Sequence, residues 1–165
     1  MKRVIIIVFT VLAGFLLQTT ALQFIALAGV VPNLLIIITA ADGYMNGRSK
    51  AMFTGVLCGL LMDLMYGEII GLYTLFFLVI AYLNGLVHKF YFKDDFTIPI
   101  ILVGISDFLF NLFYYITEFL LRNRLNFGVY LKKIIIPEMI YTILVSIVIY
   151  KVLHSVNSWL EKSAA

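Results

Sequence analysis

The chain has 165 residues, 63% of them hydrophobic and 13% charged, where a soluble domain carries about 45 to 50% apolar and about 25% charged residues. A water-soluble globule is excluded. Twelve Lys and Arg against nine Asp and Glu leave a net charge of +3, the mild basic excess that cytoplasmic loops of a polytopic membrane protein collect, so the charge implies no nucleic-acid partner.

One helix across a ~30 Å hydrocarbon core needs about 20 apolar residues, so six crossings use roughly 120 and leave no room for a soluble catalytic domain. The first predicted span covers 4 to 28. Lys2 and Arg3 ahead of Val4 to Leu17 resemble the start of a signal peptide. The apolar run resumes after Gln18, Thr19 and Thr20 and continues to Ala28, which is long enough for a retained anchor.

Further spans are predicted at 33 to 46, 51 to 66, 69 to 87, 97 to 121 and 134 to 154. Their separators are Gly29 to Pro32, Asn46 to Lys50, Tyr66-Gly67-Glu68, His88 to Phe96 and Arg122 to Lys133, each holding helix stoppers or charge. Residues 155 to 165 read as a tail with Trp159 at the lipid headgroups. The lone Cys58 lies in an apolar run and forms no intrachain disulfide.

Charge distribution decides the number of crossings. With six spans and both termini inside, Lys2, Arg3, Arg48, Lys50, Lys89, Lys93, Lys151 and Lys162 are cytoplasmic, and Arg122, Arg124, Lys132 and Lys133 are outside. Fusing the second and third spans would sink Arg48 and Lys50 into lipid at about 2.5 to 3.5 kcal/mol each and move four of the inner cations outward. The predicted fold is therefore an all-α integral membrane protein, a six-transmembrane-helix bundle with both termini cytoplasmic, forming one polytopic domain over 1–165.

Small residues recur at every fourth position from Gly43 through Gly47, Ala51, Gly55 and Gly59, then Asp63, Gly67 and Gly71. Glycines at this spacing let helix backbones approach and gain dispersion contacts in lipid. Gly47, Gly55, Gly59, Gly67 and Gly71 are thus candidates for packing inside the bundle or against a partner's helix. Asp63 shares the face of Gly59 and points toward other helices.

In the fifth span Asp107, Asn111 and Glu118 form one polar stripe, since the eleven steps from Asp107 to Glu118 return to within about 20° of the start. Asp107 falls about 15 Å deep, at the midplane, and Glu118 at the outer boundary. The sixth span opens with Pro137-Glu138, a combination suited to a first helical turn, and carries Tyr141, Thr142 and Ser146 on roughly the same side. In this topology Asp63, Glu118 and Glu138 lie near the outer leaflet with Arg122 and Arg124. Such a cluster serves either as helix caps and ion pairs or as a partner-docking or small-ligand surface.

No HExxH, GxSxG or P-loop occurs, and His88 and His154 stand singly. No metal, cofactor or catalytic residue is expected.

Several blocks together resemble the rod shape-determining protein MreD family: Gln18-Thr19-Thr20; Gly29-x-x-Pro32-Asn33-Leu34-Leu35; Gly55-x-x-x-Gly59-Leu60-x-x-Asp63-x-x-x-Gly67-x-x-x-Gly71-Leu72-Tyr73; Tyr82-x-x-Gly85; and Pro137-Glu138-x-x-Tyr141. Asn33 stands where many members carry Asp. The resemblance implies a non-catalytic subunit of the bacterial elongation complex in the cytoplasmic (inner) membrane, maintaining rod shape through lateral peptidoglycan synthesis. MreC is the direct partner it implies, with RodA, a class B penicillin-binding transpeptidase and MreB in the wider complex. A homo-oligomer stays open. The family is also similar in architecture to the six-helix S components of energy-coupling-factor vitamin transporters. The alternative is accordingly a small-ligand-binding subunit with Asp63, Glu118 and Glu138 lining an outward-open pocket.

Overall fold

The structure is a computed structural model and describes residues 1–120 and 126–164. Arg122 and Arg124 lie outside the described residues. Helix α1 (Lys2–Thr19) is followed by one turn, α2 (Ala21–Phe24). The break falls where the Thr19 hydroxyl donates to the Phe15 carbonyl at 2.9 Å and the Thr20 hydroxyl to that of Leu16, because hydroxyls that bond back compete with the helix ladder. Ala28 (φ 54°) and Gly29 (φ 79°) then turn the chain, so the first apolar helix ends at Phe24 and not at residue 28.

Asn33 caps α3 (Leu34–Asn46) by accepting from the Ile36 N–H at 3.3 Å. Its own N–H donates to the Thr142 hydroxyl at 3.1 Å, tying the start of α3 to the last helix. At 13 residues α3 is only ~20 Å long. Eleven of those residues are buried, and α3 touches α1, α4, α5, α6 and the last helix. A helix so enclosed by protein need not match the thickness of the lipid.

Gly47 (φ 82°) turns the chain into α4 (Arg48–Tyr66), which starts three residues earlier than residue 51. Helix α5 (Leu72–Leu86) ends in a 3-10 turn, Val87–Phe90. Helices α4 and α5 form the most intimate pair in the bundle. Helix α6 (Thr97–Tyr115) runs into a π turn at Ile116–Leu120. After α7 (Phe127–Tyr130) and a second π turn, Leu131–Ile135, comes α8 (Ile136–Ala164). The expected tail is therefore helical, with Asn157 and Leu160 buried while Trp159 is exposed. At 29 residues α8 spans ~44 Å, more than the hydrocarbon core requires.

One core joins Val11, Leu35, Ile36, Cys58, Phe77 and Phe110 across five helices. A second joins Tyr44 and Tyr150 with Tyr91 and Phe96. That second core marks the end of the bundle where the first and last described residues lie together, since Lys2 and Arg3 line one cleft with Glu161 and Ala164. Lys2–Phe24, Leu72–Phe90, Thr97–Glu118 and Phe127–Ala164 are long and apolar enough to cross a membrane. Their outer faces are apolar too, as with Phe9 and Leu16 on α1 and Leu144 and Val148 on α8.

Candidate functional site

Three of the acids gather at the other end of the bundle. Asp63, in the last turn of α4 and 1% exposed, accepts from the backbone N–H groups of Gly71 (2.9 Å), Tyr73 (2.9 Å) and Thr74 (3.0 Å), and from the Thr74 hydroxyl. These backbone groups belong to the first turn of α5 and have no partner within their own helix. A carboxylate there also meets the positive end of the α5 dipole. Gly71, at φ 104°, lets the backbone bend around the acid. Asp63 is thus the N-terminal cap of α5, and its oxygens are engaged.

Tyr73 lies within electrostatic range of Asp63, Glu68, Glu118 and Tyr114. Tyr130 lies within range of Glu138, Tyr114 and Tyr73. Tyr73, Tyr114 and Tyr130 therefore stand between the acids that the sequence pattern assigned to one end. Glu118 sits half-buried in the π turn after α6. Tyr73 is visible in a family block, but the chain alone does not bring Tyr73, Tyr114 and Tyr130 to the acids, because the three are far apart in sequence.

Asp107 and Asn111 on α6 face Glu138 on α8. Asp107 is fully buried, and neither carboxylate oxygen has a hydrogen-bond partner. Glu138 lies within electrostatic range of it. The Asn111 amide donates to the Asp107 carbonyl at 3.0 Å, and its side chain also hydrogen-bonds Glu138. This is an under-satisfied polar pair inside the bundle, which in lipid is costly. Tyr141 points elsewhere: its hydroxyl donates to the Ile25 carbonyl at 3.0 Å and pins α8 to the turn after α2.

The glycine register divides. A Cβ on Gly55 would come 2.7 Å from the Phe77 carbonyl oxygen, and one on Gly59 would come 2.8 Å from the Thr74 nitrogen. Both glycines thus serve the α4–α5 contact of this same chain. Gly47, Gly67 and Gly71 lie at helix ends. The four-residue register continues past them in sequence, but the backbone turns there, so these three present no common helical face. Unforeseen polar ties join other helices, such as Asn84 on α5 donating to the Ser106 hydroxyl on α6 at 2.9 Å. Among the described residues, no group of three or more His, Cys, Asp or Glu could hold a metal ion.

Long apolar helices, apolar outer faces and inward-turned acids define an all-α integral membrane protein. A family model described as rod shape-determining protein MreD matches residues 1–156. The chain belongs to the MreD family and is a rod-shape-determining membrane protein. Comparison with curated proteins and with solved structures gave no match.

Proposed function

We propose that the chain is a non-catalytic scaffold subunit of the bacterial elongation complex. It sits in the inner membrane through six crossings as one polytopic domain, with both termini cytoplasmic. It acts directly with MreC, and through it with RodA, a class B penicillin-binding transpeptidase and MreB, in lateral peptidoglycan synthesis. The observation that carries this reading is the family match over residues 1–156. Its topology draws support from the basic residues. Lys2, Arg3 and Lys50 line one cleft with the C-terminal turn of α8, so cations collect at the end holding both chain termini, as the cytoplasmic side requires.

The transporter-like alternative is weaker, because Asp63 is occupied as the cap of α5 and offers a ligand little. The test is affinity purification of the tagged chain from its native membrane in mild detergent, with mass spectrometry of what accompanies it. Recovery of MreC with cell-wall synthases is expected. Recovery of a transporter energising module, or of a stoichiometric vitamin-like molecule, would overturn the scaffold reading.

A further inference from the structure

At the end of the bundle where the termini meet, an inner cavity of about 50 Å³ lies between α1, α3, α4 and α8. Its polar lining includes Arg3, Asp42, Asn46, Thr54 and Asn157. The Arg3 Nε atom is buried and has no hydrogen-bond partner. Asp42 does not answer it: one of its oxygens accepts from the Asn46 amide at 2.5 Å and the other from the Thr54 hydroxyl at 2.7 Å. Among the described residues, the ion pair within 4 Å is Lys93–Glu161.

Arg3 and Leu160 also line a larger outer cleft of about 620 Å³, together with Lys2, Lys50 and Glu161. Glu161 is engaged on both oxygens, by Lys93 at 3.3 Å and by the Asn157 amide at 3.3 Å. The side chains of Lys2, Arg3 and Lys50 therefore face this cleft, and among the described residues its acidic side chain, Glu161, is already paired elsewhere. Below the mouth, α1 turns Ile6, Ile7 and Thr10 toward the cavity, while Ile5, Phe9, Leu12 and Leu16 are exposed on its other side, to the hydrocarbon.

We propose that this groove binds the phosphate of an anionic phospholipid. Arg3 is the inner anchor and Lys2 and Lys50 guard the mouth, with the acyl chains left in the surrounding hydrocarbon. Guanidinium suits a phosphate because its fork of donors matches the phosphate oxygens. Basic pockets between membrane helices at the water boundary select anionic headgroups in the same way. A free inorganic phosphate shares the headgroup chemistry but not the acyl chains that hold a lipid at the mouth.

The test uses the full-length protein in detergent, mixed with dioleoylphosphatidylglycerol or dioleoylphosphatidylcholine and read by native mass spectrometry. One phosphatidylglycerol should be retained in preference to phosphatidylcholine. Arg3→Gln and Lys50→Gln should each lower that retention about fivefold. Arg3→Lys, which keeps the charge and the helix, should fall between. Lys89→Gln removes an equal charge at the same end, where Lys89 lies over Phe90, and should leave retention unchanged. Equal binding of the two lipids, equal losses in Lys89→Gln and Arg3→Gln, or displacement of the lipid by millimolar inorganic phosphate would overturn the proposal.

Discussion

Two buried acids in this chain carry opposite balances. Asp63 has three backbone donors and a hydroxyl on its carboxylate, so its removal leaves the first turn of α5 with orphan N–H groups away from water. Asp63→Ala should lower stability by about 2 to 4 kcal/mol, with Asp63→Asn intermediate, as measured by thermal unfolding in detergent. Asp107 has no partner on either oxygen, and the bundle carries that cost. Asp107→Leu should raise stability by about 1 to 3 kcal/mol. If the α6–α8 pair serves rod-shape function, the same variant will fail to restore rod shape in cells depleted of the protein. A stable variant that restores rods would make Asp107 dispensable.

Between elements, the decisive contacts are backbone approaches. At Gly59 the neighbours of an added Cβ include the Thr74 nitrogen at 2.8 Å and the Tyr73 carbonyl oxygen at 2.9 Å. Backbone cannot move aside as a side-chain tip can, so Gly59→Leu must force α4 from α5. The expected loss exceeds about 3 kcal/mol and should appear as loss of a monodisperse peak in size-exclusion chromatography. A milder element-level prediction concerns the start of α3. Thr142→Val removes the acceptor of the Asn33 N–H and should cost about 1 to 2 kcal/mol, read in the same unfolding assay. Neither tie is visible as a motif, because Asn33 and Thr142 are 109 positions apart.

For the whole molecule, the topology makes a direct prediction. The lone Cys58 is buried, so it is a quiet background for thiol labelling. In intact cells, a membrane-impermeant maleimide should label Lys133→Cys and spare Lys162→Cys, while opened cells should label both. Labelling of Lys162→Cys in intact cells would invert the orientation.

Much of this architecture was legible in the chain. The apolar runs, their charged separators and the family blocks are local properties, because transfer into lipid is summed residue by residue along a segment. Glu118 and Glu138 at one end, and the helix starting near Thr97, follow from spacing alone. The break at Thr19-Thr20 and the start of α5 at Leu72 rather than at 69 are not legible, because they depend on hydroxyls bonding backward and on a carboxylate reaching across a turn. The helical continuation to Ala164 was missed because the polar residues after His154 resemble a tail until Asn157 and Leu160 are seen buried against the bundle.

By itself, then, the sequence determined membrane residence, helical class and family, since each rests on composition and order along the chain. Only the tertiary structure decided that Asp63 caps α5, that Gly55 and Gly59 face α5 of their own chain, that Glu138 lies near Asp107, and that Arg3 lines a cavity with Asp42, Asn46 and Thr54. The physical reason is that nearly every face of these helices is apolar. Hydrophobic pattern then says little about which face turns inward, and helix pairing is set by close packing and hydrogen bonds between residues far apart in the chain.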